Sequence, residues 1–384
     1  EGVVIKPIKI IDAGRTRFDR IEELLRNARY PSRMISDNMA DLQAQVSANQ
    51  CGAQRLHTLR KTAGKLRFDQ DVFNIRNRCK NAVHQYALRN DGCDRSVIEY
   101  LDDGSPICLR YRSTNGKLTF DFTGSSPVHS GNLNAPESVT RAAVLYAIRI
   151  ACKEDIPLNE GALEDVTITI PSGMLAPDFS GDEHDHPAVA IGNTETSQRV
   201  VDTILRALGC SACSQGTMNN TLIGNDSFAY YETVCGGAGA ISNAHGCDAI
   251  HTHMTNTRIT DPEILELRIP VRIEHFKIRR HSGGAGQFRG GNGVIRTLRA
   301  LSPLQLSFLS QHRVEKPYGV NGGESGTPGI QRIIRTNGEA EDMPGIFQTQ
   351  LEPGDALHLE TPGGGGWGDA ELSHHDGLPA SKSG

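Results

Sequence analysis

The chain has 384 residues, 40 basic against 45 acidic side chains and a formal net charge of −5. Hydrophobic residues make up 37%, enough for a packed core, and no run of about 18 apolar residues appears, which excludes a helical membrane span. The charge balance leaves no basic footprint for nucleic acid or an anionic membrane, and 41 glycines with 18 prolines point to a turn-rich, β-rich body rather than a helical bundle.

Residues 1–95 read as mainly helical, the continuation of a domain cut upstream. The chain opens on Glu1 and runs straight into the apolar stretch 3–11. Phe18, Ile21, Leu24, Leu25 and Ala28 fall at helical spacing. Asp37 is placed to cap a second helix, with Met39, Leu42, Val46, Ala53 and Leu56 along one side. Val72, Ile75, Cys79, Val83 and Tyr86 mark a third, its apolar face expected to pack.

Residues 96–260 read as a mixed α/β portion. Asn115-Gly116 is a hairpin signal joining a strand near 107–112 to the alternating Leu118, Phe120 and Phe122. A helix follows at 137–152, a strand at 166–170 and a second helix at 195–208. Residues 261–370 read as β-rich, and 371–384 as a tail. The apolar phase slips between Ile269/Val271/Ile273 and Phe276/Ile278, which calls for a β-bulge near Glu274–His275. A turn at Pro353-Gly354-Asp355 lies between two further strands. The fold class is therefore α+β, with a helical start and a glycine-turn-rich β end. Nine cysteines at irregular spacing suit reduced thiols and a cytoplasmic protein better than a disulfide framework.

Four polar clusters combine amides, hydroxyls and charge with glycine. The 192–199 segment (GNTETSQR) opens a helix, where free N–H groups can bind an anion or simply be capped. The 214–220 segment (SQGTMNN) offers paired amides for a carbonyl, or a polar turn. Glu232 ends a strand beside the loop Gly236-Gly237-Ala238-Gly239, which reads as flexible. His251 and His253, if in a strand, share a face and can move protons or bind a metal. Glu232, His245 or Asp248 would then supply a third ligand. The glycines of 284–293 lack a following helix, so the dinucleotide fingerprint fails. Cys210-x-x-Cys213 has no second pair at zinc-finger spacing, and the acidic, His-bearing run 182–186 reads as an exposed loop.

In this order the clusters resemble the hydantoinase B/oxoprolinase family. The resemblance rests on Asp121 to Ser126 (DFTGSS), Asn132 to Pro136 (NLNAP), 195–200 (ETSQRV), 214–220 and 231–233 (YET). It continues through 251–257 (HTHMTNT), 282–286 (SGGAG) with 289–291 (RGG), and 362–368 (PGGGGWG). Segments 102–110, 131–136 and 257–265 look most like the eukaryotic-type 5-oxoprolinases. The resemblance implies ATP-dependent opening of 5-oxo-L-proline to L-glutamate by a protein in which a nucleotide-binding hydantoinase A-like half precedes a B-like half. ATP and Mg would be bound by that A-like half. Any divalent metal would be held by His and Asp residues upstream of this chain, so no metal ligand maps onto it.

The residues assigned to catalysis are His251, His253, Glu195 and Glu232. Those assigned to substrate binding are Asn193, Ser214, Gln215, Asn219, Asn220 and Asn256. The implied partners are the A-like half, a small lactam and further copies of the chain, with no nucleic acid and no membrane. A related activity, such as hydantoin hydrolysis or ketone carboxylation, and an inactive fragment are the alternatives. The chain alone is expected neither to bind ATP nor to convert 5-oxoproline, and to expose apolar surface around 3–11 and the first helix.

Overall fold

The computed structural model describes residues 3, 5, 7–28, 30–152, 156–181 and 185–370. The 371–384 tail and most of the acidic run at 182–186 lie outside the described residues.

Strands β1 (Ile11–Asp12) and β2 (Arg15–Thr16) form a small hairpin ahead of helices α1 (Phe18–Asn27), α2 (Ile35–Ala63) and α3 (Lys65–Arg89). Asp37 sits inside the first turn of α2 and does not cap it; Met34 occupies the cap position. The Ser32 hydroxyl, which accepts from the Met34 N–H at 3.3 Å, does the local anchoring instead. α2 buries no residue, and Ala53 and Leu56 on its expected packing side are exposed. In α3 the apolar face splits. Cys79, Val83 and Tyr86 are buried, but Val72 and Ile75 are half exposed. Only the second half of α3 meets the body, so α2 and the first half of α3 form a projecting helical arm.

Strands β3 (Asp94–Tyr100), β4 (Pro106–Thr114), β5 (Lys117–Asp121) and β6 (Val166–Thr169) make the first sheet, antiparallel except for the β5–β6 pair. Asn115 and Gly116 both take positive φ, as a two-residue hairpin turn requires. Helix α4 (Glu137–Ala151) and helix α5 (Ser197–Leu208) pack with this sheet and α3 around one apolar cluster that includes Phe120, Val144, Ile148 and Ile204.

The rest is a two-sheet sandwich. β7 (Asn220–Gly224), β8 (Ala229–Glu232), β11 (Leu304–Leu309) and β14 (Ile346–Leu351) form one sheet, in the order β14-β11-β7-β8. After the short helix α6 (Pro262–Arg268), β9 (Val271–Ile278), β10 (Val294–Ala300), β12 (Ile330–Ile334), β13 (Ala340–Asp342) and β15 (Ala356–Glu360) form the other. Phe308, Phe347, Leu298 and Leu357 meet in the core between them. The turn at Gly354 carries the chain from β14 in one sheet to β15 in the other.

The β9 bulge is present. Leu298 pairs with Ile273 and Thr297 with His275, leaving Glu274 as the extra residue. The bulge puts both apolar sets on one face, but that face is open at its far end, where Phe276 and Ile278 are 40% and 44% exposed. Near the N-terminus Ile5, Ile11 and Tyr30 are exposed, as the sequence led us to expect, whereas Ile21 and Leu25 of α1 are buried.

The glycines form a structural layer of their own. Gly364 and Gly365 run between the 212–215 and 237–240 segments on one side and 284–291 on the other. Their backbone bonds include Gly364 N–H to Gly291 O at 2.9 Å, Gly365 N–H to Cys213 O at 2.8 Å, and Gly284 N–H to Gly364 O at 2.9 Å. Gly237 and Gly239 belong to this layer: the Gly237 N–H donates to Pro362 O and the Gly239 N–H donates to Ser214 Oγ. The loop read as flexible is therefore tied down on both sides. A Cβ on Gly364 would run into the Ala238 carbonyl oxygen. Gly364→Ala is expected to lose at least ~1–3 kcal/mol of unfolding free energy, whereas Gly52→Ala, in open space inside α2, should gain ~0.5–1 kcal/mol. Urea unfolding of both variants checks the pair.

Candidate active site

Helix α5 begins with a π-helical turn, Gly192–Thr196, and every residue of α5 except Arg206 is buried. One face of this continuous helix (Val200, Val201, Ile204, Leu205) enters the first apolar core. The other face carries Glu195, Gln198, Arg199 and Asp202, a spacing of three, four and seven residues that stacks them along one line. A buried polar helix face needs partners, and this one finds them only in part. Among the described residues, Glu195 Oε2, Gln198 Oε1, Arg199 Nε and both carboxylate oxygens of Asp202 have no hydrogen-bond partner, nor has Gln215 Nε2 nearby in the fold.

Glu195 is fully buried. Its Oε1 accepts from the Met218 N–H at 2.9 Å and from the Asn220 amide at 2.6 Å. Burial is the largest effect on its carboxyl and pushes the pKa up to about 7, against the opposing hydrogen bonds from Thr217, Met218 and Asn220 and the charge of Arg313. The Asn220 Oδ1 accepts from the Tyr231 hydroxyl at 2.7 Å. Asn219, in a left-handed backbone conformation, donates to Gln215 Oε1 and Val234 O, both at 2.9 Å, and accepts from Arg313 Nη2 at 2.7 Å. Segments 192–199 and 214–220 are thus brought together in one buried network. Ser214 is buried with its hydroxyl on Gly239, and Asn193 lies outside the network on an exposed position.

Segment 251–257 is not a strand. His253 adopts φ 56°, which breaks the alternation that would have put both imidazoles on one face. His251 lines a cavity of about 660 Å³ with Cys235, Ile250 and Phe276. Both its ring nitrogens lack a partner among the described residues, and burial lowers its pKa. His253 lines a second cavity, of about 340 Å³, with Tyr146, Arg149, Met254 and Asn256. Asn256 borders both cavities. The expected metal grouping does not form. His245 accepts from the Arg289 N–H, Asp248 pairs with Arg289 at 2.8 Å, and Glu232 forms a buried ion pair with Arg296. Glu232 also accepts from the Tyr230 hydroxyl at 3.0 Å.

The 251–257 segment is joined to α5. Gln198 Nε2 donates to the Thr252 carbonyl at 2.9 Å, and His253 Nε2 lies 3.4 Å from Asp202 Oδ1. The other side of the His253 ring, Nδ1, meets the Tyr146 hydroxyl at 3.2 Å.

Deeper in, Asp202, Cys213 and His312 converge, all fully buried, their ligand atoms within 4.8 Å of one another. Among the described residues this is the one His/Cys/Asp/Glu grouping able to hold a metal ion. His312 Nδ1 lies 2.6 Å from the Glu315 carbonyl and 3.1 Å from Arg199 Nη1, and Nε2 faces Cys213 Sγ at 3.6 Å. Thiolate is the form that binds a metal, and here burial and Asp202 push the thiol pKa well up. The Arg199 guanidinium, 3.1 Å from the His312 ring, adds a positive charge that opposes a cation. Burial, with the Arg199 charge beside it, pushes the His312 pKa well down, so the cluster sets a neutral imidazole and a thiol beside Asp202.

Sequence reasoning quoted Gln198 and Arg199 but assigned them nothing, and it missed Asp202. Projection of 195–208 onto a helix exposes Asp202 as i+7 from Glu195. Tyr146, His312 and Arg313 left no such signal, because their partners lie about a hundred residues away.

Glu195 titrates higher folded than unfolded, so the stability it contributes is full below about pH 4.5 and fades as pH rises through about 7. Glu195→Gln keeps the acceptor oxygen and removes the charge. Its stability relative to the native chain should rise between pH 5 and pH 8, by up to a few kcal/mol, read from urea midpoints at each pH. A pH-independent difference would contradict the raised carboxyl.

Comparison with known proteins identifies the family of the chain. The family model for hydantoinase B/oxoprolinase matches residues 1–370. The chain is 39% identical to 5-oxoprolinase 1 of Arabidopsis thaliana over 96% of its own length and 31% of that protein. To 5-oxoprolinase of Dictyostelium discoideum it is 38% identical, over 97% of its length and 29% of that protein. The chain thus spans about three tenths of the length of these relatives. In fold it is similar to the ATP-dependent caprolactamase of Pseudomonas jessenii, with a TM-score of 0.83 at 23% identity, covering 96% of this chain and 67% of that one. With one buried framework running from 192 to 365 and a family match across 370 residues, the chain belongs to the hydantoinase B/oxoprolinase family.

Proposed function

We propose that this chain supplies the ring-opening part of an ATP-dependent cyclic-amide hydrolase acting on 5-oxo-L-proline. The observation that carries the reading is the buried polar face of α5. Unpartnered atoms of Glu195, Gln198 and Asp202 lie on a helix that also holds the His253 cavity wall, and buried unpaired groups are costly unless used. The relatives named above support the choice of lactam.

A five-membered lactam resists water because its amide is resonance-stabilised. Phosphorylation of the carbonyl oxygen by ATP makes the carbon electrophilic. One water adds there, and the C–N bond breaks with the nitrogen taking a proton. A second water releases phosphate, giving L-glutamate, ADP and phosphate. ATP and Mg are proposed to bind a hydantoinase A-like half, and any divalent metal to bind outside this chain. That half and further copies of this chain are the proposed partners.

Within the chain, Glu195, with its carboxyl near pH 7, is the proposed proton carrier. His253, held between Tyr146 and Asp202, orients the reacting groups from the cavity wall, and His251 serves the neighbouring cavity. Glu232 acts through its pair with Arg296. Asn256 contacts substrate directly, whereas Ser214, Gln215, Asn219 and Asn220 shape the network behind it, and Asn193 lies at its edge.

The test combines this chain with the remaining part of a full-length relative and follows glutamate and ADP. Both products should appear together and only with 5-oxoproline present. Glu195→Gln should lower turnover by roughly 10²–10⁴-fold while leaving ATP binding intact. An assembled complex that binds ATP but never opens the ring would overturn the proposal.

A further inference from the structure

The 340 Å³ cavity beside His253 has one wall from α4 and one from the 253–256 loop. Ala142, Leu145, Tyr146 and Arg149 stand at i, i+3, i+4 and i+7 on α4, so they line the same helix face. Ala142, Leu145, Leu158 and Met254 make the lining mainly apolar. Its volume is on the order of ten waters, room for a small ring and a little solvent. Small-ligand sites have this form, an apolar pocket with a few placed polar groups.

Among those polar groups Arg149 carries the cationic charge. Among the described residues, Arg149 makes no hydrogen bond or ion pair and no acidic side chain lines the cavity. The Asn256 side chain is exposed to the same space. Tyr146 and His253 are joined to each other, and His253 is drawn toward Asp202 on the far side of its ring. A cation with no acidic partner among the described residues, at the mouth of a mainly apolar pocket, selects a ligand that is apolar in body and anionic at one end.

We propose that Arg149 binds the carboxylate of a ring-bearing substrate, with Asn256 as a second donor and Leu145, Leu158 and Met254 against the ring methylenes. The inference rests on the proposed lactam hydrolysis and adds what discriminates the substrate: a carboxylate on the ring carbon next to nitrogen. Arg149 also lies in the last turn of α4, where a cation steadies the helix end. The test therefore needs a readout that this structural role would not move.

In the assembled complex, KM and kcat are measured for 5-oxoproline and for 2-pyrrolidinone, the same ring without the carboxylate. Arg149→Met should raise KM for 5-oxoproline roughly ten- to a hundredfold and leave KM for 2-pyrrolidinone unchanged. Arg149→Lys should recover part of the loss. Equal losses on both substrates would assign Arg149 to the helix end and overturn the proposal, and so would an unchanged KM for 5-oxoproline. Calorimetric titration of the same complex with 5-oxoproline separates the two levels. Binding abolished by Arg149→Met in a complex that never turns over would support the subsite and refute the hydrolysis. Turnover of 5-oxoproline with no dependence on Arg149 would do the reverse, and neither binding nor turnover would overturn both.

Discussion

The close approach of bare backbones around 362–366 is the constraint on which the other features depend. Five segments distant in sequence, near 213, 238, 284, 291 and 320, bond to this short glycine run. Backbone amides can satisfy one another side by side only where no Cβ intervenes. At Gly237, Gly290, Gly363 and Gly365 an added Cβ would likewise strike a backbone oxygen. The layer holds the 212–215 segment against the 237–240 segment and so places Gln215 and Ser214. It also explains why so glycine-rich a chain is rigid at its centre: the glycines are spent on packing, not on freedom.

The second organising element is α5, which joins two halves with different interiors. Its apolar side completes the core under the first sheet, and its polar side faces the sandwich. Arg199 reaches the Tyr100 carbonyl at 2.6 Å and Glu99 at 3.7 Å, and Arg206, paired with Glu99, lies over the Tyr318 ring. The Tyr318 hydroxyl in turn donates to the Asp202 carbonyl at 2.6 Å. Buried pairs of this kind add little net stability, but removing one partner strands the other. They make the relative placement of the two halves specific, and the left-handed backbones at Asn219, His253 and His312 cluster where that specificity is greatest.

The helical arm contrasts with this interior. Leu56, Leu59, Leu66, Phe73 and Ile75 are at least half exposed along α2 and the start of α3. Helical periodicity was correctly read there, but its packing was not, because an amphipathic stripe states that a face is apolar without stating what covers it. Cys79, Val83 and Tyr86 carry the same spacing and are buried, since only that half of α3 lies against the first sheet.

Local chemistry was legible in the chain. The Asn115-Gly116 turn, the Glu274 bulge, the apolar face of α5 and the family motifs all follow from short-range periodicity, turn preference and ordered residue types. These are properties of neighbouring residues and survive in one dimension. The two histidines illustrate the limit: two positions apart in sequence, they serve different cavities because one residue turns left-handed. Asp202 finding Cys213 and His312, Tyr146 reaching His253, and the glycine run threading five segments were decided by tertiary structure alone. Each depends on where a sheet, a helix and a loop come to rest together, which no short stretch of sequence encodes.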